Sequence, residues 1–146
     1  MTEKQVFESI KFHRLRVVNQ FYALTPEKFC KIYNGYGADS WRSSMRSALT
    51  WIFDNFEEIA GAHDVDFHYS DGTKSGFKRT IEHWKKNSST MLSVRYPMSS
   101  PSLWIHRAVA WTKLRLAMRA IATPTAFKCY LDAYSRMVCK MNKTKV

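Results

Sequence analysis

His63 and Asp64 are neighbours in the chain. On a helix, adjacent side chains diverge by about 100°, so the two would occupy neighbouring faces. One residue can then act as a base toward a substrate while the other turns toward a bound ion. Imidazole, with an ordinary pKa of about 6.5, suits proton transfer near neutral pH. A carboxylate suits a hard cation that prefers oxygen ligands. Upstream lies Asn34-Gly35-Tyr36-Gly37-Ala38-Asp39, where two glycines permit backbone conformations that other residues resist. Each feature also has an ordinary use. Asn34-Gly35 by itself is a common turn, and Asp64 with His68 can form a helix-surface pair of about 0.2–0.5 kcal/mol. Asp66 and Asp71 read as solvated carboxylates.

The elements that would position these residues are helical. Residues 2–24 read as a first helix, with Val6, Ile10, Leu15, Val17 and Val18 as its apolar positions. Thr25-Pro26-Glu27 reads as an N-cap, a proline at the first helical position and an acid in the first turn. That predicts a short helix to about Tyr33. A longer helix is expected over 41–68, a turn at Ser70-Asp71-Gly72-Thr73, and a return helix over 75–88. Thr90 to Tyr96 has some strand character, which suggests a short hairpin near 90–98. After Pro101-Ser102 a helix should run to Ile121, and another from about 125 to 141. Apolar residues on two sides of the first of these mark it as a central core helix, with its Trp and Met stripe buried.

Composition agrees with this class. Hydrophobic residues make up 45% of the 146, enough for a core, while five glycines and four prolines are too few for many strand turns. The expected organisation is mainly α, a single compact multi-helix domain over 1–146. Cys30, Cys129 and Cys139 are an odd, widely spaced set without a C-x-x-C pair, so reduced thiols are expected. The amino terminus has no apolar stretch of signal-peptide type, and no window is long enough to span a membrane. Synthesis in a reducing, cytoplasmic compartment follows as the expectation. The net charge of +11 is uneven. Residues 1–73 hold eight Lys/Arg against ten Asp/Glu, and residues 74–146 hold fifteen against two. A basic second half suggests a polyanionic partner, either an anionic phospholipid surface or nucleic acid.

Tyr33-Asn34-Gly35-Tyr36-Gly37 and His63-Asp64-Val65-Asp66-Phe67 together resemble, in order, the calcium loop and the His-Asp helix motif of the phospholipase A2-like superfamily. The chain looks most like small phage- and prophage-encoded proteins of that type, with Gly72, Trp84 and Asn87 as later features, a resemblance that implies a bacterial host cytoplasm or a virion as its place. The resemblance covers roughly 28–90. It implies a phospholipase A2-like core over about 26–90, followed by basic C-terminal helices over about 102–141. It further implies a Ca²⁺ cofactor, held by the carbonyls of Tyr33, Gly35 and Gly37 and by the Asp64 carboxylate. His63 would be the general base of a calcium-dependent ester hydrolase. Phe67 stands where that family has tyrosine, and Ile81 where it has a supporting carboxylate, with Glu82 one residue away. These departures imply a weakened, degenerate hydrolase.

Two other classes stay open. A metal-dependent phosphohydrolase of His-Asp type would need His13 and Asp132 to join the pair. A non-enzymatic nucleic-acid-binding or interaction protein would use the basic second half, although no helix-turn-helix, zinc-finger or RNA-recognition signature accompanies it.

Overall fold

The computed structural model describes residues 1–33 and 55–143, and among these it consists of helices and connectors without a strand. Helix α1, Glu3–Phe12, starts from a capping box in which Thr2 and Gln5 satisfy each other's backbone N–H groups. Its Val6, Phe7 and Ile10 are buried. Helix α2, Pro26–Ile32, begins as its sequence predicts, with the Thr25 hydroxyl accepting from the Lys28 N–H. Phe7, Phe21 and Phe29 meet with ring centroids 5.1 to 6.2 Å apart and anchor this end of the core.

The expected helix over 2–24 is broken. It stops at Phe12, and residues 15–18 run without helix or strand to a 3-10 turn at Asn19–Ala23. The apolar pattern changes period here: Leu15 and Val17 are buried while Arg16 between them is exposed, the alternation of extended backbone.

Helix α3, Glu57–His68, packs on α1 and α2 through Gly61. A Cβ at Gly61 would sit 2.9 Å from Val6 and 3.0 Å from Phe29, so only glycine lets these helices approach so closely. The helix expected over 41–68 is corrected at its start: it begins at Glu57, since Asn55 (φ +84°) and Phe56 are not helical, and the part before residue 55 lies outside the described residues. Helix α4, Lys74–Arg95, returns alongside α3 and is longer than expected. The hairpin near 90–98 is therefore corrected to helix as far as Arg95. Trp84, Ser88, Met91 and Leu92 continue one buried 3.6-residue stripe, which outweighs the local strand character of the segment. Arg107 secures the end of α4, donating to the carbonyls of Leu92 (3.0 Å) and Tyr96 (2.6 Å).

Helix α5, Trp104–Ile121, packs on α4 through Ala110, Leu114, Ala117 and Ile121. The expectation of a helix buried on both sides is corrected. Trp104 is 52% exposed, Ile105 79% and Trp111 49%, with Val109 and Leu116 also exposed. Helix α6, Pro124–Lys143, lies against α3. Tyr130 ties it to the α3–α4 turn, its carbonyl accepting from Ser70 Oγ (3.0 Å) and its hydroxyl donating to Asp71 Oδ1 (2.9 Å). Asp71 also accepts from Thr73 (2.9 Å from the N–H) and Arg79 (3.0 Å). Although burial acts against it, these bonds hold the Asp71 carboxyl below the usual carboxylate range.

Candidate functional site

His63 and Asp64 lie in the middle of α3, as the sequence predicts. The His63 ring packs against Phe67 (4.4 Å between centroids) and edge-on to Trp84 of α4 (5.3 Å). Residue 63 is half-buried overall, but its Nδ1 is closed off from solvent and has no hydrogen-bond partner among the described residues. Burial pulls its pKa from 6.5 down to about 4. The imidazole is thus neutral at neutral pH and a weak base, and among the described residues no carboxylate bonds to it. Phe67, where the motif's tyrosine would stand, turns to a second aromatic cluster with Phe77 and Tyr130. Asp64 is half-buried. Tyr33 closes α2, stacked on Phe29 at 5.6 Å. The helix ending at Tyr33 therefore packs on the helix that carries His63 and Asp64. Gly35 and Gly37 lie outside the described residues, and so does the loop's geometry. Among the described residues no group of three or more His, Cys, Asp or Glu side chains could hold a metal ion.

The better-built constellation was not singled out by the sequence. Asp66, expected to be solvated, is 1% exposed. One of its oxygens accepts from the Val18 N–H (2.8 Å) and the other meets His83 Nδ1 at 2.8 Å. Burial raises the Asp66 carboxyl, against the opposing pull of His83, the Val18 N–H and Arg79. With Nδ1 engaged, His83 faces outward with Nε2, and its side chain is 17% exposed. Asn87, one helical turn on, clamps the same extended segment. It donates to the Arg16 carbonyl (2.8 Å) and accepts from the Arg16 N–H (2.6 Å). Two side chains of α3 and α4 thus supply the hydrogen bonds a neighbouring strand would otherwise give.

This clamp makes a groove. Segment 14–22 faces Arg79 and His83 across a hollow of about 700 Å³, which is mostly polar. A second hollow of about 640 Å³ shares Arg14 and Arg16 and continues along Lys86, Ser89, Thr90 and Ser93. Arg79, His83 and Lys86, spaced four and three residues apart, share one face of α4. Arg14 takes a φ of +50°, uncommon for a residue with a side chain. Backbone bonds from Arg14 N–H to Lys11 (3.1 Å) and Leu15 N–H to Ile10 (3.0 Å) hold that conformation, which closes α1 and turns the chain into the groove wall. The carboxylates close by are already engaged: Asp66 by His83 and Val18, and Asp71 by Arg79. At the rim, Asn19, Gln20 and a 61% exposed Tyr22 add amides and an aromatic face.

A smaller depression of about 390 Å³ lies between α4 and α5, lined by Trp84, Leu92, Trp111, Leu114 and Arg115 among others. Arg115 stacks over the Trp111 ring at 4.5 Å. None of the described helices is long and apolar enough to cross a membrane. Cys30 and Cys129 are half-buried and Cys139 is exposed, all three as free thiols. No family model, no curated protein and no solved structure matches this chain.

Proposed function

We propose that the chain binds the phosphate backbone of a single-stranded nucleic acid along the groove between segment 14–22 and α4. The observation that carries this reading is the pair of adjoining hollows that share Arg14 and Arg16 and are completed by Arg79, His83 and Lys86. Such a track releases counterions from a polyanion. The exposed Tyr22 offers a face on which a base can stack, as sequence-tolerant single-strand binders require. The test is fluorescence anisotropy of a short single-stranded oligonucleotide across a salt series. Arg14→Asn, Arg16→Gln and Lys86→Gln combined should lower the salt slope by about 2, from roughly 0.7 per lost phosphate contact. Asparagine at 14 is chosen because it tolerates the positive φ. An unchanged slope overturns the proposal.

A second reading is a calcium-dependent, phospholipase A2-like ester hydrolase docking on anionic phospholipid. It is supported by the exposed Trp104, Ile105, Val109 and Trp111 on α5, a helix that carries Arg115 and Arg119 and no acidic residue. Aromatic and aliphatic groups beside cations suit a lipid headgroup boundary. Flotation with vesicles of anionic and neutral lipid, with and without Ca²⁺, tests it. Equal flotation of wild type and Trp104→Ser/Trp111→Ser counts against it.

A further inference from the structure

The groove does not present its cations uniformly: one position in it is pre-organised. His83 is aimed by a carboxylate that is itself buried and held in place by the Val18 N–H. A histidine whose Nδ1 is committed to a buried carboxylate has a fixed ring orientation and a single free nitrogen. Arg79 lies one helical turn before it on α4 with its guanidinium paired to Asp71 at 3.0 Å, and Arg14 and Arg16 stand across the hollow.

We infer that His83 Nε2, backed by Asp66 and faced by Arg14 and Arg16, is a fixed anchoring point for one phosphate group of the ligand. This deepens the nucleic-acid reading of the same groove and rests on that groove being a phosphate binder. The contact is a shared proton. A ring protonated on both nitrogens donates from Nδ1 to Asp66 and from Nε2 to a phosphate oxygen, since the phosphodiester of a strand has no proton of its own to give. No bond is made or broken. The guanidinium groups supply the planar, multi-donor contacts that phosphate oxygens favour. Lys86 and the Ser89 and Ser93 hydroxyls of the adjoining hollow then receive the next stretch of backbone.

The phosphate source separates two cases, a free anion and a strand. Protein labelled with ¹⁵N at histidine is titrated with inorganic phosphate, with pyrophosphate, and with a single-stranded oligonucleotide, at constant ionic strength with chloride as the control. The expected result is a saturable movement of the His83 ring nitrogens, while those of His13, His68 and His106 stay in place. His83→Asn is the matched variant, because its amide can still reach Asp66 where Nδ1 did but cannot extend to the Nε2 position. It should weaken phosphate binding about tenfold, the size of one charge-assisted hydrogen bond, with the melting temperature preserved. Arg16→Gln serves as a second variant should His83→Asn fold poorly, and the wild-type titration is decisive without either. A His83 signal unmoved by any phosphate ligand overturns the anchor. An oligonucleotide that binds without moving His83 overturns the anchor and leaves the groove reading standing. Phosphate that moves His83 while the oligonucleotide does not bind supports the anchor and overturns the nucleic-acid reading.

Discussion

Replacing His63 with leucine tests whether the motif histidine is a buried, neutral packing residue. Its pKa is held down, from 6.5 to about 4, because the ring nitrogen is closed off from water. A base with a depressed folded-state pKa binds fewer protons folded than unfolded between those two values. Its linkage contribution is therefore absent above pH 6.5 and grows as an acid-side penalty as pH falls toward 4. Between about pH 7 and about pH 5 that penalty amounts to about 2 kcal/mol. At neutral pH the substitution should be nearly silent. Leucine removes a closed-off nitrogen worth about 1–3 kcal/mol of desolvation and loses ring contacts with Phe67 and Trp84 worth about 0.5–1.5 kcal/mol. Urea denaturation of both proteins at the two pH values gives the result directly. Wild type should lose about 2 kcal/mol more than His63→Leu on acidification, the titrations of Asp66 and the other groups being common to both. Parallel losses would refute the reasoning, because they would mean that the imidazole titrates as a solvated group does.

Arg95→Met should destabilise by about 3 kcal/mol, since Glu58, 1% exposed and bonded to Arg95 at 2.6 Å, would keep a buried charge with only the Ser9 hydroxyl to bond it. Adding Glu58→Gln should recover much of that loss in the same denaturation assay. Gly76→Ala would drive a methyl into Asp71 and the Tyr130 hydroxyl, so thermal melting should fall and the amide of Asp71 should lose exchange protection. If Asp64 and the carbonyls of Tyr33, Gly35 and Gly37 hold calcium, Ca²⁺ at a hundredfold excess over its Kd should add about 2.7 kcal/mol of stability, abolished by Asp64→Asn. A melting temperature that Ca²⁺ leaves unchanged would count against the hydrolase reading.

Much of the helical framework could be read directly from local chemistry. The Thr25-Pro26-Glu27 start, the Ser70–Thr73 turn and the helix after Pro101 all lie where capping and turn residues put them. These signals act within a few residues, so the chain carries them regardless of its partners. The break after Phe12 was not legible, because residues 15–18 take their hydrogen bonds from Asn87 and Asp66, 71 and 48 residues away. Nor was the helix from 90 to 95, whose local strand character yields to a buried stripe on α4. On α5 the apolar pattern was visible, but which side would find a partner was not. Ala110, Leu114, Ala117 and Ile121 are buried, and Trp104 and Ile105 stay largely exposed.

The sequence alone established a helical, strongly basic chain and a His63-Asp64 pair on one helix. Only the tertiary structure decided that His63 Nδ1 is closed off from solvent beside Trp84 and that Asp66 is buried against His83. It alone brought Arg14 and Arg16 of the acidic half into one groove with Arg79 and Lys86 of the basic half. Charge composition is additive along a chain, whereas a groove and a buried carboxylate exist only where distant segments pack together. Burial and hydrogen bonding then set what each titratable group can do.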